Sequence, residues 1–169
     1  LSGWKSLTNE GNIVLETAST NFYLAGILPR SDSNATANTH VFKNMHNSGN
    51  LTVCEGVAKT TNVGGIAAFC YNPMDYCSST GNICVYNVFK DGASGTVYAG
   101  MFNGAQTANA ARTITNSLVR GTIQRNTDAN PITIDDTNFM KYLFRANAGT
   151  TAYSNVYTTG EFVPEPTEE

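Results

Sequence analysis

Charge is scarce in this chain: only 14% of its 169 residues are Asp, Glu, Lys or Arg, and the formal net charge is -3. The lysines and arginines stand singly. No basic stripe can track a phosphate backbone, so nucleic acid is not an expected partner. So few Lys–Glu pairs also argue against long surface helices. A membrane-spanning helix needs about 18 or more consecutive apolar residues, and no such run occurs. No basic stretch leads into an apolar one, so the pattern of a secretory leader is missing too. There are two histidines and no Cys-x-x-Cys, which removes the usual zinc signatures. Gly-x-Ser-x-Gly, phosphate-binding glycine loops and EF-hand patterns are also missing. No metal and no cofactor is expected.

What remains is a chain rich in Asn, Thr, Ser and Gly, a composition that suits exposed β-structure outside the cell. The expected location is extracellular, either secreted or attached to a cell surface. The length corresponds to about one domain. The chain opens on Leu1, without an initiator Met, and is read as a processed or excised piece of a longer precursor. Its end, Pro164-Glu165-Pro166-Thr167-Glu168-Glu169, reads as an acidic, proline-containing linker or tail. Cys54, Cys70, Cys77 and Cys84 fall close together. They permit disulfides, but Cys77 and Cys84 stand beside apolar neighbours, where buried thiols serve as small hydrophobes. Both readings stay open.

Five glycines, Gly11, Gly49, Gly81, Gly121 and Gly160, share one apolar frame. Seven residues before each stands a large apolar side chain: Trp4, Phe42, Met74, Ile114 and Tyr153. Four before, the residues are Leu7, Met45, Cys77, Ser117 and Val156; two after, they are Ile13, Leu51, Ile83, Ile123 and Phe162. The glycines are 38, 32, 40 and 39 residues apart. Periods of roughly 20–50 residues signal solenoids, propellers or arrays. The frame predicts a strand, a turn at the glycine, which takes positive φ cheaply, and a second strand. After the glycine, apolar residues alternate, as in Ile13 and Leu15, Leu51 and Val53, Ile83 and Val85. That period of two marks half-buried strands.

A further apolar strand follows in the first three repeats, at Leu24-Ala25-Gly26-Ile27, Gly64-Gly65-Ile66 and Ala99-Gly100-Met101. A small residue and a glycine there let neighbouring backbones approach closely. In the fourth repeat the corresponding strand is placed at Tyr142-Leu143-Phe144. The polar stretches between strands vary in length, as loops do. The alanines of Gln106–Arg112 permit a short helical turn.

One repeat cannot bury its apolar face alone. Stacking puts Ile13, Leu51, Ile83, Ile123 and Phe162 in one ladder, and Trp4, Phe42, Met74, Ile114 and Tyr153 in another. The expected fold is all-β: a parallel β-helix, or solenoid, of about four to five coils with long variable loops. Regular short strands also fit a β-sandwich. The single domain covers 1–163, with repeats at about 4–41, 42–73, 74–113, 114–152 and a partial 153–163. The partial repeat is expected to cap one open end; more coils upstream, or a partner, are expected at the other.

The segments Gly64-Gly65-Ile66, Met74-x-x-Cys77-x-x-x-Gly81-x-Ile83, Ala99-Gly100-Met101, Ile114-Thr115-Asn116-Ser117 and Gly121-Thr122-Ile123 carry a family resemblance. They are similar to the GLUG-type repeat of bacterial surface proteins, over about residues 4–163. Repeat one departs from it with Ala25-Gly26, and repeat four lacks the glycine pair. The resemblance implies a right-handed parallel β-helix in secreted or outer-membrane-anchored, adhesin-like proteins. It implies no defined chemistry and supplies no catalytic residues.

Parallel β-helices also carry polysaccharide lyases and hydrolases, so acid–base pairs were sought. Asp135-Asp136 is the best carboxylate pair, but neighbouring strand residues point to opposite faces; a solvated turn is the simpler reading. Lys141 and Arg145 near Asp135 read as a salt-bridged loop rather than a lyase constellation. His46 stands at a position held by Thr8, Ser78, Leu118 and Tyr157 in the other repeats, which suggests an exposed face. Asn12, Asn50 and Asn82, one residue after their glycines, read as a stacked amide ladder. Tyr71, Tyr86, Phe89 and Tyr157 lie outside the frame as aromatics able to stack on sugars, and Tyr71, Tyr86 and Phe89 are the candidate ligand-binding residues. The expected function is therefore non-enzymatic: an adhesin-like display module or structural scaffold. Glycans, a host surface, further coils or copies of itself are its candidate partners.

Overall fold

The computed structural model describes residues 5–16, 20–31, 40–54, 60–86, 97–105, 112–125, 129–143 and 151–163. The first repeat holds β1 (Lys5–Asn9), β2 (Ile13–Leu15), β3 (Phe22–Ala25) and β4 (Leu28–Arg30). The second holds β5 (Phe42–Asn47), β6 (Leu51–Val53), β7 (Thr61–Gly64) and β8 (Ala67–Phe69). The third holds β9 (Met74–Asp75), β10 (Ser78–Ser79), β11 (Ile83–Val85), β12 (Val97–Gly100) and β13 (Asn103–Ala105). Then come β14 (Arg112–Val119), β15 (Thr122–Arg125), β16 (Ile132–Thr133), the short helix α1 (Phe139–Leu143) and β17 (Thr151–Tyr157). The protein is all-β with parallel sheets.

Among the described residues, β15 and β16 are the one consecutive pair that bonds directly; the other strands do not pair with their neighbours in sequence. Each pairs with its equivalent one repeat away, giving four sheets. The first runs β1-β5-β10-β14-β17, with β9 between β5 and β14; the second runs β16-β15-β11-β6-β2; the third is β12-β7-β3 and the fourth β13-β8-β4. Among the described residues every pair is parallel except β15–β16. Parallel pairing needs a long crossover, which each repeat supplies.

The register stacks like on like. Phe42, Met74, Ile114 and Tyr153 are partners across the first sheet. Ile13, Leu51, Ile83 and Ile123 are partners across the second. Leu51, Ile83, Ile114 and Ile123 are fully buried and share one core with Val63 of the third sheet and with Ile66 and Phe102, at the corners between the third and fourth sheets. Trp4, at the head of the first column, lies outside the described residues.

The turn glycines serve two purposes, and one of them is the positive φ that their position suggested. Only Gly121 and Gly160 take positive φ, at 111° and 95°. A Cβ on Gly49 would fall on the carbonyl oxygen of Gly11, and one on Gly81 on that of Gly49. Glycine is needed there because the backbone of the preceding repeat fills the side-chain position. The adjacent amide ladder is present. The Asn50 N–H donates to Asn12 Oδ1 at 2.9 Å, and the Asn82 N–H to Asn50 Oδ1 at 2.9 Å. The Thr122 N–H then donates to Asn82 Oδ1 at 3.0 Å.

Three expectations need correction. In the third repeat the partner of Gly64 is Gly100, not Ala99, so Met101 takes the place of Gly65. At Gly26 and Gly65 a side chain is excluded both by the carbonyl of the next repeat, that of Gly65 and of Met101, and by a side chain of the first sheet. A Cβ on Gly26 would fall on Asn47, and one on Gly65 on Ser79 Oγ. The position held by Asn47 and Ser79 becomes Val119 in the next repeat. Second, Tyr142-Leu143 ends α1 instead of forming a strand, while Phe144 lies outside the described residues. The ring of Tyr142 and the side chain of Leu143 are buried, and their carbonyls accept from the Met101 and Phe102 N–H groups at 2.7 and 3.0 Å. Helix carbonyls thus satisfy the N–H groups at the corner between β12 and β13. Third, Phe162 is not in the Ile123 ladder. The antiparallel β16 already occupies that edge, pairing Ile132 with Ile123. Residues 106–111 of the alanine-rich stretch lie outside the described residues; Arg112 begins β14.

Replacing Ile83 with Asp puts an unpaired charge in the centre of this core. It should cost about 3–5 kcal/mol and lower the melting temperature by roughly 10 °C or more. An unchanged melt by circular dichroism would sink the inward assignment of this ladder.

Candidate functional site

The outer face of the first sheet is shaped by a column of left-handed residues. Ser6, Asn44, Tyr76, Asn116 and Asn155 have φ of 59°, 54°, 50°, 48° and 53°. They share one register position, five residues before each glycine. Asn and Ser tolerate this conformation better than most residues because their short polar side chains bond locally. The kink breaks strand alternation: Phe42 points in, Lys43 is half-buried, and Met45 points in again. This explains an apolar spacing of three within a strand.

The column also carries side-chain bonds. Asn155 Nδ2 donates to Asn116 Oδ1 at 2.9 Å, and Asn116 Nδ2 donates to Asp75 Oδ1 at 3.0 Å. Thr115 Oγ1 donates to the same oxygen at 2.6 Å, and Lys43 Nζ lies 3.4 Å from Asp75 Oδ2. Asp75 is thus held by three neighbours.

One column over, Thr8, His46, Ser78, Leu118 and Tyr157 are register partners. His46 Nδ1 lies 3.0 Å from Ser78 Oγ. The ring of Phe162 packs on the imidazole, with centroids 4.5 Å apart and planes tilted by 56°. His46 is consequently half-buried, and burial holds its imidazole below the usual value. The chain after β17 therefore folds back over the outer face of the first sheet. Between the two lies a groove of about 210 Å³ lined by Tyr76, Asn116, Ser117, Leu118, Tyr157, Glu161, Phe162 and Val163. It offers two phenols, apolar walls and one carboxylate. That set can hold an amphipathic ligand; it contains no second carboxylate for paired acid–base work.

Of the aromatics singled out in the sequence, Tyr157 lines this groove, while Tyr71 and Tyr86 have other surroundings. Tyr71, half-buried, packs edge-on against Phe69 at 5.1 Å and 84°. Phe69 meets Tyr23 at 6.0 Å and 78°, and the Arg30 guanidinium lies 5.2 Å from the Tyr23 ring centre. Tyr86 stands elsewhere, exposed after the second-sheet strand, with its hydroxyl donating to Gln124 Oε1 at 3.5 Å. Hydrogen bonding with Cys84 raises its phenol above the usual value. Phe89 lies outside the described residues. Tyr76, Asn116 and Phe162 were not marked by the apolar frame as binding residues; the signal for the first two was the recurring polar residue five before the glycine.

Asp135 and Asp136 lie in an exposed turn, not a strand. Asp135 Oδ1 accepts from Thr137 N at 2.8 Å, Thr137 Oγ1 at 2.6 Å and Asn138 N at 3.2 Å, the work of a turn leading into α1. The bonds from Thr137 hold its carboxyl below the usual range. Asp136 accepts from the Thr158 hydroxyl. Lys141 Nζ sits 5.3 Å from the Tyr142 ring centre, and Arg145 lies outside the described residues. All four cysteines are free thiols. Burial pushes the Cys77 thiol up to about 12. Among the described residues no group of three or more His, Cys, Asp and Glu could hold a metal ion. Comparison with protein-family models, with curated proteins and with solved structures returned no match.

Two outcomes follow from these environments. Because the folded state lowers the His46 value below the ordinary 6.5, the unfolded chain takes up the proton first as pH falls. Stability should be flat above that value and drop below it. The melting temperature should fall between pH 7.5 and 5 in the native chain and fall less in His46→Phe; equal slopes would refute the buried-imidazole account. A thiol reagent at pH 8 should modify the half-buried Cys54 and Cys84 before unfolding, leaving Cys77 intact until the chain unfolds. Labelling of Cys77 at the same rate would contradict its burial.

Proposed function

We propose that the chain is a non-enzymatic, extracellular repeat module of a bacterial surface protein of the GLUG-repeat type. On this reading the four sheets are faces of a right-handed parallel β-helix, and each repeat is one coil. The module is a rigid support that displays its surface for adhesion to glycans or host surfaces. The supporting observation is the register: equivalent side chains stay in step across successive repeats, from Phe42 to Tyr153 and from Ile13 to Ile123. The stretches between strands differ in length while the paired positions do not, as expected of a display scaffold. Binding is assigned to the groove beside Tyr76 and Tyr157. Aromatic faces pack on the apolar faces of sugars, and Glu161 offers an acceptor for hydroxyls.

The test incubates the purified chain with host and plant polysaccharides. Soluble products are read by mass spectrometry and retention by affinity electrophoresis. The expected result is no new oligosaccharide and retardation by a subset of glycans, weakened about fivefold or more in Tyr157→Ala. Oligosaccharides that disappear in Asp135→Asn or Lys141→Ala would replace this reading with a lyase or hydrolase. No retardation by any glycan would remove glycan binding from it.

A further inference from the structure

The two ends of the stack differ. At the last repeat, α1 accepts the Met101 and Phe102 N–H groups, and β16 closes β15 in the antiparallel sense. At the first repeat, β1, β2, β3 and β4 are edge strands. The turn there repeats a pattern that later turns complete. Asn47 Oδ1 accepts from Asn9 Nδ2 at 2.7 Å, and Asn9 Oδ1 is the same acceptor one repeat earlier. The Asn50 and Asn82 N–H groups each donate to the preceding asparagine Oδ1 at 2.9 Å, and the Asn12 N–H is their counterpart. Gly49 and Gly81 are required by the preceding glycine carbonyl. Gly11 has no positive φ, and the nearest atom to a Cβ there is Asn9 Oδ1 at 3.7 Å. Among the described residues nothing requires glycine at position 11.

We infer that this end is a docking surface for a further parallel β-coil whose turn reads Asn-x-Gly-Asn. The incoming glycine carbonyl lies on Gly11. The first asparagine of that turn donates through Nδ2 to Asn9 Oδ1, and the second accepts through Oδ1 from the Asn12 N–H. Leu7, Ile13, Leu15, Phe22, Ile27 and Leu28 are only partly buried and form the apolar floor. A second copy does not fit in the same sense, because at its opposite end α1 stands against Met101 and Phe102 and the antiparallel β16 covers β15. The inference rests on the coil reading proposed above.

The test supplies such a coil by repeating residues 4–41 ahead of Trp4. In the chain as it stands, Gly11→Ala should move the melting temperature by less than about 1 °C, while Gly49→Ala lowers it by about 5 °C or more. In the extended chain the same Gly11→Ala, now internal, should cost as much as Gly49→Ala. Amides of β1 should then gain about tenfold or more protection from hydrogen exchange. An equal effect of Gly11→Ala in both chains overturns the inference. So does an added segment without protection, if the rest keeps its melting temperature. Absence of protection in β5, β6 and β7 of the unextended chain would instead overturn the coil reading itself.

Discussion

The fold depends on backbones that pass too closely to leave room for a side chain. At Gly49 and Gly81 the carbonyl of the preceding glycine occupies the place of a Cβ. That approach puts the next N–H within reach of the amide oxygen one repeat back, and the bond lands on Asn12, Asn50 and Asn82 in turn. Each bond is modest alone, about 1 kcal/mol net. Together they start β2, β6, β11 and β15 in register, and the apolar ladder of Ile13, Leu51, Ile83 and Ile123 follows.

The left-handed column is the second constraint and acts on the surface. By breaking alternation once in each strand of the first sheet, it keeps Phe42 and Met45 both inward, although they are three residues apart. It also gathers Lys43, Asp75, Thr115 and Asn116 into one bonded strip. The strip borders the groove closed by Phe162. The backbone kink therefore shapes a face where polar and aromatic groups from several described repeats converge around a groove.

Much of the architecture was legible in the sequence, because each strand pairs with its equivalent in the next repeat and the same demands recur every 32 to 40 residues. The glycine frame, the two apolar columns and the asparagine ladder could all be read that way. What failed is physically specific. Gly100 pairs with Gly64 although the small-glycine-apolar motif places Ala99 there, and strand register leaves no local mark. Phe162 fits the frame by spacing, but β16 already held that edge. Tyr142 and Leu143 look like a strand because both are apolar, yet their role is met by helix carbonyls. Of the candidate groove only Tyr157 was legible as a ligand-stacking aromatic, for a related reason. Tyr76 and Phe162 meet there only through the return of the chain after β17, and no periodic pattern encodes a return.

The distance spanned by each inter-repeat bond has a kinetic consequence. The asparagine ladder joins residues 38, 32 and 40 positions apart. The entropy of closing such a contact depends on that span, not on the length of the chain. Once two repeats have paired, each later one searches only for an edge already in place. Lengthening such a stack raises the depth of its energy well while leaving the height of the first barrier unchanged. Folding speed and final stability are therefore governed by different parts of the molecule.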